Sequence, residues 1–169
     1  MTVLYKHWYD SPIGKLWLVS NEVAVKGIWV EGQRYFATGY DWNAIRVGEP
    51  EAVVILKRWL DAYFSGDVVE GHMLDIEPAG TAFQQRVWQV LQTIPYGKTM
   101  SYADIAEHVW PDSSRRSPRA IGGAVGKNPL ALVIPCHRVV GHNGAITGYA
   151  AGVEKKIWLL AHEQHCVQS

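Results

Sequence analysis

Ten residues near the end of the chain leave few choices for how it can fold: Leu130-Ala131-Leu132-Val133-Ile134-Pro135-Cys136-His137-Arg138-Val139. Five successive apolar residues have no polar face to turn to water, so the run must be interior. It is short and rich in branched side chains, which predicts a buried strand. Pro135 ends that strand, because proline cannot donate to a sheet ladder. Cys136 then stands where a strand breaks off, held rigidly yet reachable. A cysteine alone in such a place is ordinarily a small packing residue. The adjacent His137 and the Gly141-His142-Asn143-Gly144 turn point instead to a site.

The rest of the chain limits what that site can serve. At 169 residues the protein is one domain or two small ones. A hydrophobic fraction of 48%, with eight Trp and eight Tyr, is ample for a core. Sixteen basic residues balance sixteen acidic ones, so polyanion binding by bulk charge is excluded and a local patch would be needed. There is no apolar stretch of about twenty residues to span a membrane, and the first ten residues lack the apolar core of a signal peptide. A cytoplasmic protein follows, in which Cys136 and Cys166 are reduced thiols. Cys166, three residues from the end, carries no chemistry.

Read in order, residues 3–8, 16–20 and 23–30 are strand-like, joined by Asp10-Ser11-Pro12-Ile13-Gly14 and Ser20-Asn21-Glu22, and predict a three-stranded antiparallel meander. Residues 39–48 read as loop. Glu49-Pro50-Glu51 opens a helix with Val53, Leu56, Leu60 and Phe64 on one face and Gly66 as its stop. His7 and His72 stand alone. Residues 66–80 are polar and irregular and read as a linker. Thr81 caps a second helix with an apolar face of Phe83, Val87, Val90, Leu91 and Ile94, ended by Pro95-Tyr96-Gly97. The fold class is therefore α+β. A small N-terminal antiparallel three-stranded sheet with a helix (residues 1–78, linker included) precedes a mostly helical C-terminal domain (79–169) that carries the cysteine.

Residues 101–109 predict a short helix. After a connector, Ser117 as N-cap and Pro118 at the first helical position start another. Two short helices across a short connection suggest a helix-turn-helix, although an ordinary helical hairpin has the same outline. The second helix is nearly bare: Ala120, Gly122, Gly123, Ala124, Gly126. An interior helical glycine costs about 1 kcal/mol relative to alanine. Two in a row require close packing on another helix or close approach to a nucleic-acid groove. Arg115, Arg116, Arg119 and Lys127 surround this helix with only Asp112 opposing them, either a solvated basic face or phosphate contacts. Residues 145–152 form a glycine- and alanine-rich loop holding Tyr149, whose face could stack on a base. Residues 153–164 predict a last helix with Val153, Ile157, Leu160 and Ala161 inward. Glu163 stands at its end, where a carboxylate opposes the helix dipole.

Asn128-Pro129, Pro135-Cys136-His137-Arg138-Val139, Gly148-Tyr149 and Leu159-Leu160-Ala161-His162-Glu163 resemble, in type and spacing, the O6-alkylguanine–DNA alkyltransferase family. The likeness is dense from Thr81 to Glu163 and weaker upstream, where Ser11-Pro12-Ile13-Gly14 and Leu16-Trp17-Leu18 carry it. The resemblance implies a ribonuclease-H-like N-terminal domain and single-use repair of double-stranded DNA: an O6-alkylguanine is flipped out and its alkyl group moves to Cys136. It assigns His137, oriented by Glu163, to take the thiol proton through a water, and Tyr102 to the guanine. Asn128 would pin the turn before the cysteine. Arg119 would fill the gap left in the duplex, with Arg115, Arg116, Ala120, Gly123 and Lys127 along the DNA. Pro135, Val139, Tyr149 and Ala150 would form the substrate pocket. Some members have serine after the tyrosine where this chain has Ala150, which removes one side-chain hydrogen bond to the base. No cofactor, metal or membrane is implied, and a monomer in solution is expected.

Other readings are weaker on the residues. Non-catalytic lesion binders with this resemblance carry tryptophan in place of Cys136. A cysteine hydrolase needs direct Cys–His contact, awkward for neighbouring residues. A zinc site built on Cys136, His137, His142 and Cys166 lacks any Cys-x-x-Cys pair. A pure transcription regulator leaves Cys136 unexplained.

Overall fold

The computed structural model describes residues 3–112 and 116–168. Strands β1 (Tyr5–Ser11), β2 (Gly14–Ser20) and β3 (Val25–Val30) form the expected meander. Helix α1 (Glu51–Ser65) covers one face and ends at Gly66, whose φ of 103° is the left-handed cap that glycine tolerates. Strand alternation sends Leu16 and Leu18 towards α1, where they meet Leu56, Leu60 and Tyr63. Val19 and Trp29 face the other way, under Phe36, Tyr40 and Trp42.

Those three aromatic residues belong to the segment between β3 and α1, which is more ordered than a loop reading allows. Residues Trp42–Ala44 make a 3-10 turn. Arg46–Val47 form β4, which adds parallel to β1 and gives a sheet order of β3-β2-β1-β4. A two-residue exposed strand has no periodicity to read, so the sequence could not show it.

Helix α2 (Ala82–Leu91) begins at a capping box between Thr81 and Gln84, and α3 (Tyr102–Val109) at another between Ser101 and Asp104. Helix α4 (Pro118–Gly126) is capped by Ser117. The three pack on one another through Val87, Leu91, Ile105, Ile121 and Ala124. Short strands β5 (Met100–Ser101) and β6 (Val139–Val140) pair in parallel, and α5 (Val153–Gln168) closes the chain. The architecture is mixed α+β. One apolar cluster runs from Ile13 in the sheet to Leu159 in α5, so both halves share a core.

Three further expectations need correction. The run at 130–134 is buried but is not a strand. Asn128 holds it as a compact turn: its carbonyl accepts from the Leu130 N–H (2.9 Å) and its amide donates to the Ile134 carbonyl (2.7 Å). Leu132 takes a φ of 72°, and only Leu130 bridges to Ile28 of β3. A side chain thus supplies the backbone partners that a sheet would otherwise provide.

The 66–80 segment is not a loose linker. Val25 N–H bonds Asp75, and Glu77 N–H bonds Val25. Gly71 lies so close to the buried run that a Cβ would sit 2.2 Å from the Val133 carbonyl oxygen.

The inward face of α5 is also different. Lys156, Leu159 and Glu163 are buried, while Val153 and Ile157 are 43% and 50% exposed and Ala161 is exposed. The apolar pattern misleads because two of the three inward positions carry charge. Glu163 lies eleven residues into a sixteen-residue helix, so a dipole argument does not apply to it. Among the described residues, no helix is long and apolar enough to cross a membrane.

This face assignment has a direct consequence. Leu159→Ala should cost about 2–5 kcal/mol by opening a cavity, and Ile157→Ala should stay within about 0.5 kcal/mol. Urea midpoints of the two variants check this; equal losses would return Ile157 to the core.

Candidate functional site

Pro135 leads into a 3-10 turn over Cys136–Arg138. Successive residues of such a turn point about 120° apart, so the three side chains divide their tasks. Cys136, 7% exposed, lines a cavity of about 300 Å³. His137 and Arg138 turn away from it towards α5, and both are buried.

There they meet Glu163. His137 Nε2 lies 2.5 Å from Oε2, and Arg138 Nε donates to Oε1 at 2.8 Å. The Tyr63 hydroxyl donates to Oε2 (2.6 Å) and the Gly97 N–H to Oε1 (3.2 Å). Burial by itself would push the Glu163 carboxyl up, but His137 and Arg138 outweigh it and hold it well below its usual range. The carboxylate is therefore ionised and can only accept. Burial, partly opposed by Glu163, lowers the affinity of His137 for a second proton. A neutral imidazole in this place donates from Nε2 and keeps its lone pair on Nδ1. That atom is buried with no hydrogen-bond partner among the described residues.

The thiol itself is not pre-ionised. Burial raises its pKa; Asn128, Lys156 and Tyr149 pull it partly back. The Tyr149 hydroxyl makes no hydrogen bond of standard geometry, so its influence on Cys136 is electrostatic and not a formed bond. Lys156 is only 1% exposed. Its ammonium donates to Thr147 Oγ1 (2.9 Å) and to the Gly148 carbonyl (3.4 Å), and Thr147 Oγ1 is 2.9 Å from the Tyr102 hydroxyl. Lys156 and Glu163 are seven residues apart, about 10 Å along one helix face. One stripe of α5 thus places a cation beside the cavity and an anion behind the histidine.

The cavity brings together Cys136, Tyr102, Asn128, Tyr149 and Ala150 from the expected set. Pro135 and Val139 are buried but do not line it. Three lining residues, Gln33, Arg34 and Tyr35, come from the N-terminal half, where no local pattern announces them. The Arg34 N–H bonds the Ala150 carbonyl (3.1 Å), and Tyr35 lies beneath both Arg34 and Lys127 at 4.9 and 5.7 Å. Arg138 and Lys156 were also not expected as site residues. Their charge at buried positions is the signal that, in a sequence, looks like an ordinary surface.

Along α4, Arg119, Ala120, Gly123 and Lys127 are exposed. A Cβ added at Gly123 or Gly126 would meet nothing within 4 Å, so helix packing does not explain the bareness there. Arg116 is tied to the Trp110 and Pro111 carbonyls (3.1 Å each) and lies 3.5 Å from Glu107, an acid the sequence reading overlooked. Arg115 lies outside the described residues. Among the described residues, no three His, Cys, Asp or Glu side chains converge so as to hold a metal ion.

The chain as a whole is similar to known proteins. A family profile for the DNA-binding domain of 6-O-methylguanine DNA methyltransferase matches residues 82–165. The methylated-DNA–protein-cysteine methyltransferase of Mycobacterium leprae is 41% identical over 158 residues, covering 94% of this chain and 91% of that protein. The protein of the same name from Haemophilus influenzae is 37% identical over 166 residues, covering 97% and 88%. A crystal structure of Mycobacterium tuberculosis OGT in complex with DNA superposes with a TM-score of 0.82 at 36% identity, covering 96% of this chain and 94% of that one. The chain belongs to the O6-methylguanine DNA methyltransferase family.

The buried charges should make the fold acid-sensitive. The unfolded chain protonates His137 below its usual 6.5, while the folded chain resists, so stability falls as pH drops through that value. Glu163, held below its usual 4.5, adds a second loss under pH 4.5. Glu163→Gln should remove that second limb. At pH 7 it should cost about 3–5 kcal/mol, because Arg138 is left buried without its main counter-charge. Urea unfolding at pH 7, 5.5 and 4 tests both statements; wild-type stability that is flat over this range would contradict them.

Proposed function

We propose that this chain repairs double-stranded DNA by taking the alkyl group of an O6-alkylguanine onto Cys136, once per protein molecule. The observation that carries the reading is the division of the Cys136–Arg138 turn. The thiol faces a cavity, and the next residue is an imidazole fixed at Nε2 by a buried carboxylate, with Nδ1 unpartnered among the described residues. Membership of the family and the activity for which the relatives are named support the same chemistry.

In this reading the segment 79–169 is the DNA-binding and alkyl-acceptor part, and α3 and α4 act as a helix-turn-helix. The minor groove is roughly 6 Å wide and a dressed helix about 10–12 Å, so a groove-bound α4 requires small residues such as Ala120 and Gly123. Arg119 fills the space vacated by the flipped base, while Arg115, Arg116 and Lys127 approach phosphates. The base enters the cavity, stacks on Tyr149 and contacts Tyr102. Ala150 offers it no side-chain hydrogen bond. Pro135 and Val139 act through the backbone that shapes the turn, and Asn128 keeps that turn closed.

His137 then takes the thiol proton, relayed by a solvent molecule, while Glu163 and Arg138 hold the ring. The sulfur attacks the alkyl carbon, the carbon–O6 bond breaks and the guanine leaves with the electron pair. A thioether resists hydrolysis, so the reaction stops there. No cofactor takes part.

Intact mass tests the stoichiometry. Excess lesion duplex should add one alkyl group, on Cys136 and not Cys166, and Cys136→Ala should abolish transfer while still binding DNA. Repair of many lesions per protein would indicate a hydrolase.

Single-turnover rates test the roles. His137→Ala should slow transfer by about 10² to 10⁴ at pH 7, and Glu163→Gln should add little to it, because the carboxylate works through the imidazole. Arg119→Ala should slow repair of duplex far more than reaction with free O6-benzylguanine. Equal losses on both substrates would remove Arg119 from the flipping step.

A further inference from the structure

Glu163 Oε2 is shared. His137 Nε2 lies 2.5 Å from it and the Tyr63 hydroxyl 2.6 Å, while Arg138 Nη2 makes a longer contact of 3.3 Å. Tyr63 stands on α1, in the N-terminal half, 100 residues from the acid. Its side chain is fully buried. Burial and the Glu163 charge push its hydroxyl well up from the ordinary tyrosine range, so it stays a donor. The aim of that hydroxyl is fixed. His162, the residue before Glu163 on α5, donates from Nε2 to the Tyr63 carbonyl (2.7 Å). Trp59 stacks on the ring at 5.6 Å, and Tyr96 meets it edge-on at 6.0 Å. Phenylalanine would fill the same space, so packing explains the ring but not the hydroxyl. Nor is the hydroxyl needed to balance charge, which Arg138 does from two of its nitrogens.

What the hydroxyl does change is the oxygen that His137 uses. A hydrogen bond to the charged form of an acid favours that form, because it draws off part of the negative charge. Oε2 then holds a second proton on His137 less strongly. The charged groups about the imidazole are Glu163 and Lys156 on α5 and Arg138 on its own turn, with Glu70 lying 3.8 Å from Arg138. Burial, Arg138 and Lys156 all oppose the imidazolium, and Glu163 favours it. Tyr63, Tyr96 and the Cys136 thiol, which also pack around this network, are uncharged. Tyr63 therefore weakens the one neighbour that tips His137 towards a second proton.

We propose that Tyr63 is a positioning residue of the alkyl transfer: its hydroxyl, sharing Glu163 Oε2 with His137, keeps the imidazole neutral at rest so that the Nδ1 lone pair can take the thiol proton. This rests on the reading of His137 as the base. Tyr63 keeps its own proton throughout, and the thiol proton still passes to His137 through solvent. Tyr63 does not line the cavity, so it acts on the reaction only through the carboxylate. The N-terminal half thereby takes part in the chemistry at a distance, by setting the electronic state of a residue on the cysteine turn.

The test reads the protonation of His137 in two ways in the full-length protein. One is the pH profile of single-turnover benzyl transfer from free O6-benzylguanine, which removes DNA binding from the measurement. The other is the nitrogen NMR shift of the His137 ring against pH, which needs no substrate. Tyr63→Phe keeps the ring and deletes the hydroxyl. It should move both midpoints up by about one pH unit, the part of one hydrogen bond to a charged group that reaches the imidazole. The loss of rate should be largest at low pH and shrink as the pH rises. A fluorinated tyrosine at position 63 donates more strongly from nearly the same volume and should move both midpoints down. A merely structural Tyr63 would lower the rate by one factor at every pH and leave the midpoints in place. Midpoints for Tyr63→Phe at or below those of the wild type would overturn the role of Tyr63 while leaving His137 as the base. Midpoints above the wild type for the fluorinated tyrosine would do the same, and this arm decides if Tyr63→Phe does not fold. A wild-type rate for His137→Ala would overturn the reading of His137 and the role of Tyr63 together.

Discussion

The Glu163 carboxylate is where the structure is tied together. It receives hydrogen bonds from Tyr63 on α1, from the Gly97 backbone and from both His137 and Arg138 on the cysteine turn. Four donors from three segments, as far as 100 residues away in sequence, converge on two oxygens. A buried carboxylate is tolerable only when its lone pairs are filled and its charge is matched. Arg138 supplies the matching charge and is itself anchored to the Ile94 carbonyl at 2.7 Å. Moving Arg138 leaves an uncompensated ion in the core, and moving any other partner leaves a buried lone pair unfilled, which is why the turn that presents Cys136 is held so firmly.

The same physics separates Arg138 from His137 in role. Arginine stays charged at any accessible pH and satisfies Glu163 permanently. That leaves the imidazole neutral, because burial opposes its second proton. A neutral imidazole with one nitrogen fixed and the other unpartnered has the electronic state of a base. Had Glu163 faced His137 alone, the pair would more readily have become a resting ion pair, with no lone pair to offer.

The contrast between the two ends of the α5 stripe is instructive. Glu163 is surrounded by donors and balanced, whereas Lys156, among the described residues, hydrogen-bonds only to neutral oxygens. The anion is part of the fold's resting economy; the cation faces the cavity side, where Cys136 and Tyr102 line the wall. Residues 33–35 reach the same wall from beside the sheet, so the N-terminal half is part of the site.

Much of this was legible from sequence wherever the cause is local. Thr81 and Ser117 cap their own helices, and Gly66 ends α1, because those contacts lie within a turn of the chain. Apolar spacing gave the inner faces of α1 and α2. The Asn128, His137 and Glu163 positions came from the resemblance of their motifs to the alkyltransferase family and Cys136 from its place after the apolar run, and neither made Glu163 a buried acid. What only tertiary structure decided has a common reason. The 130–134 run resembles a strand, but Asn128 satisfies its backbone and turns it aside. The α5 face was misassigned because hydrophobicity scores Lys156 and Glu163 as solvent-facing, and only partners from distant segments make their burial possible. Arg34, Tyr35 and Thr147 acquire their places from contacts across the chain, and no local periodicity encodes those.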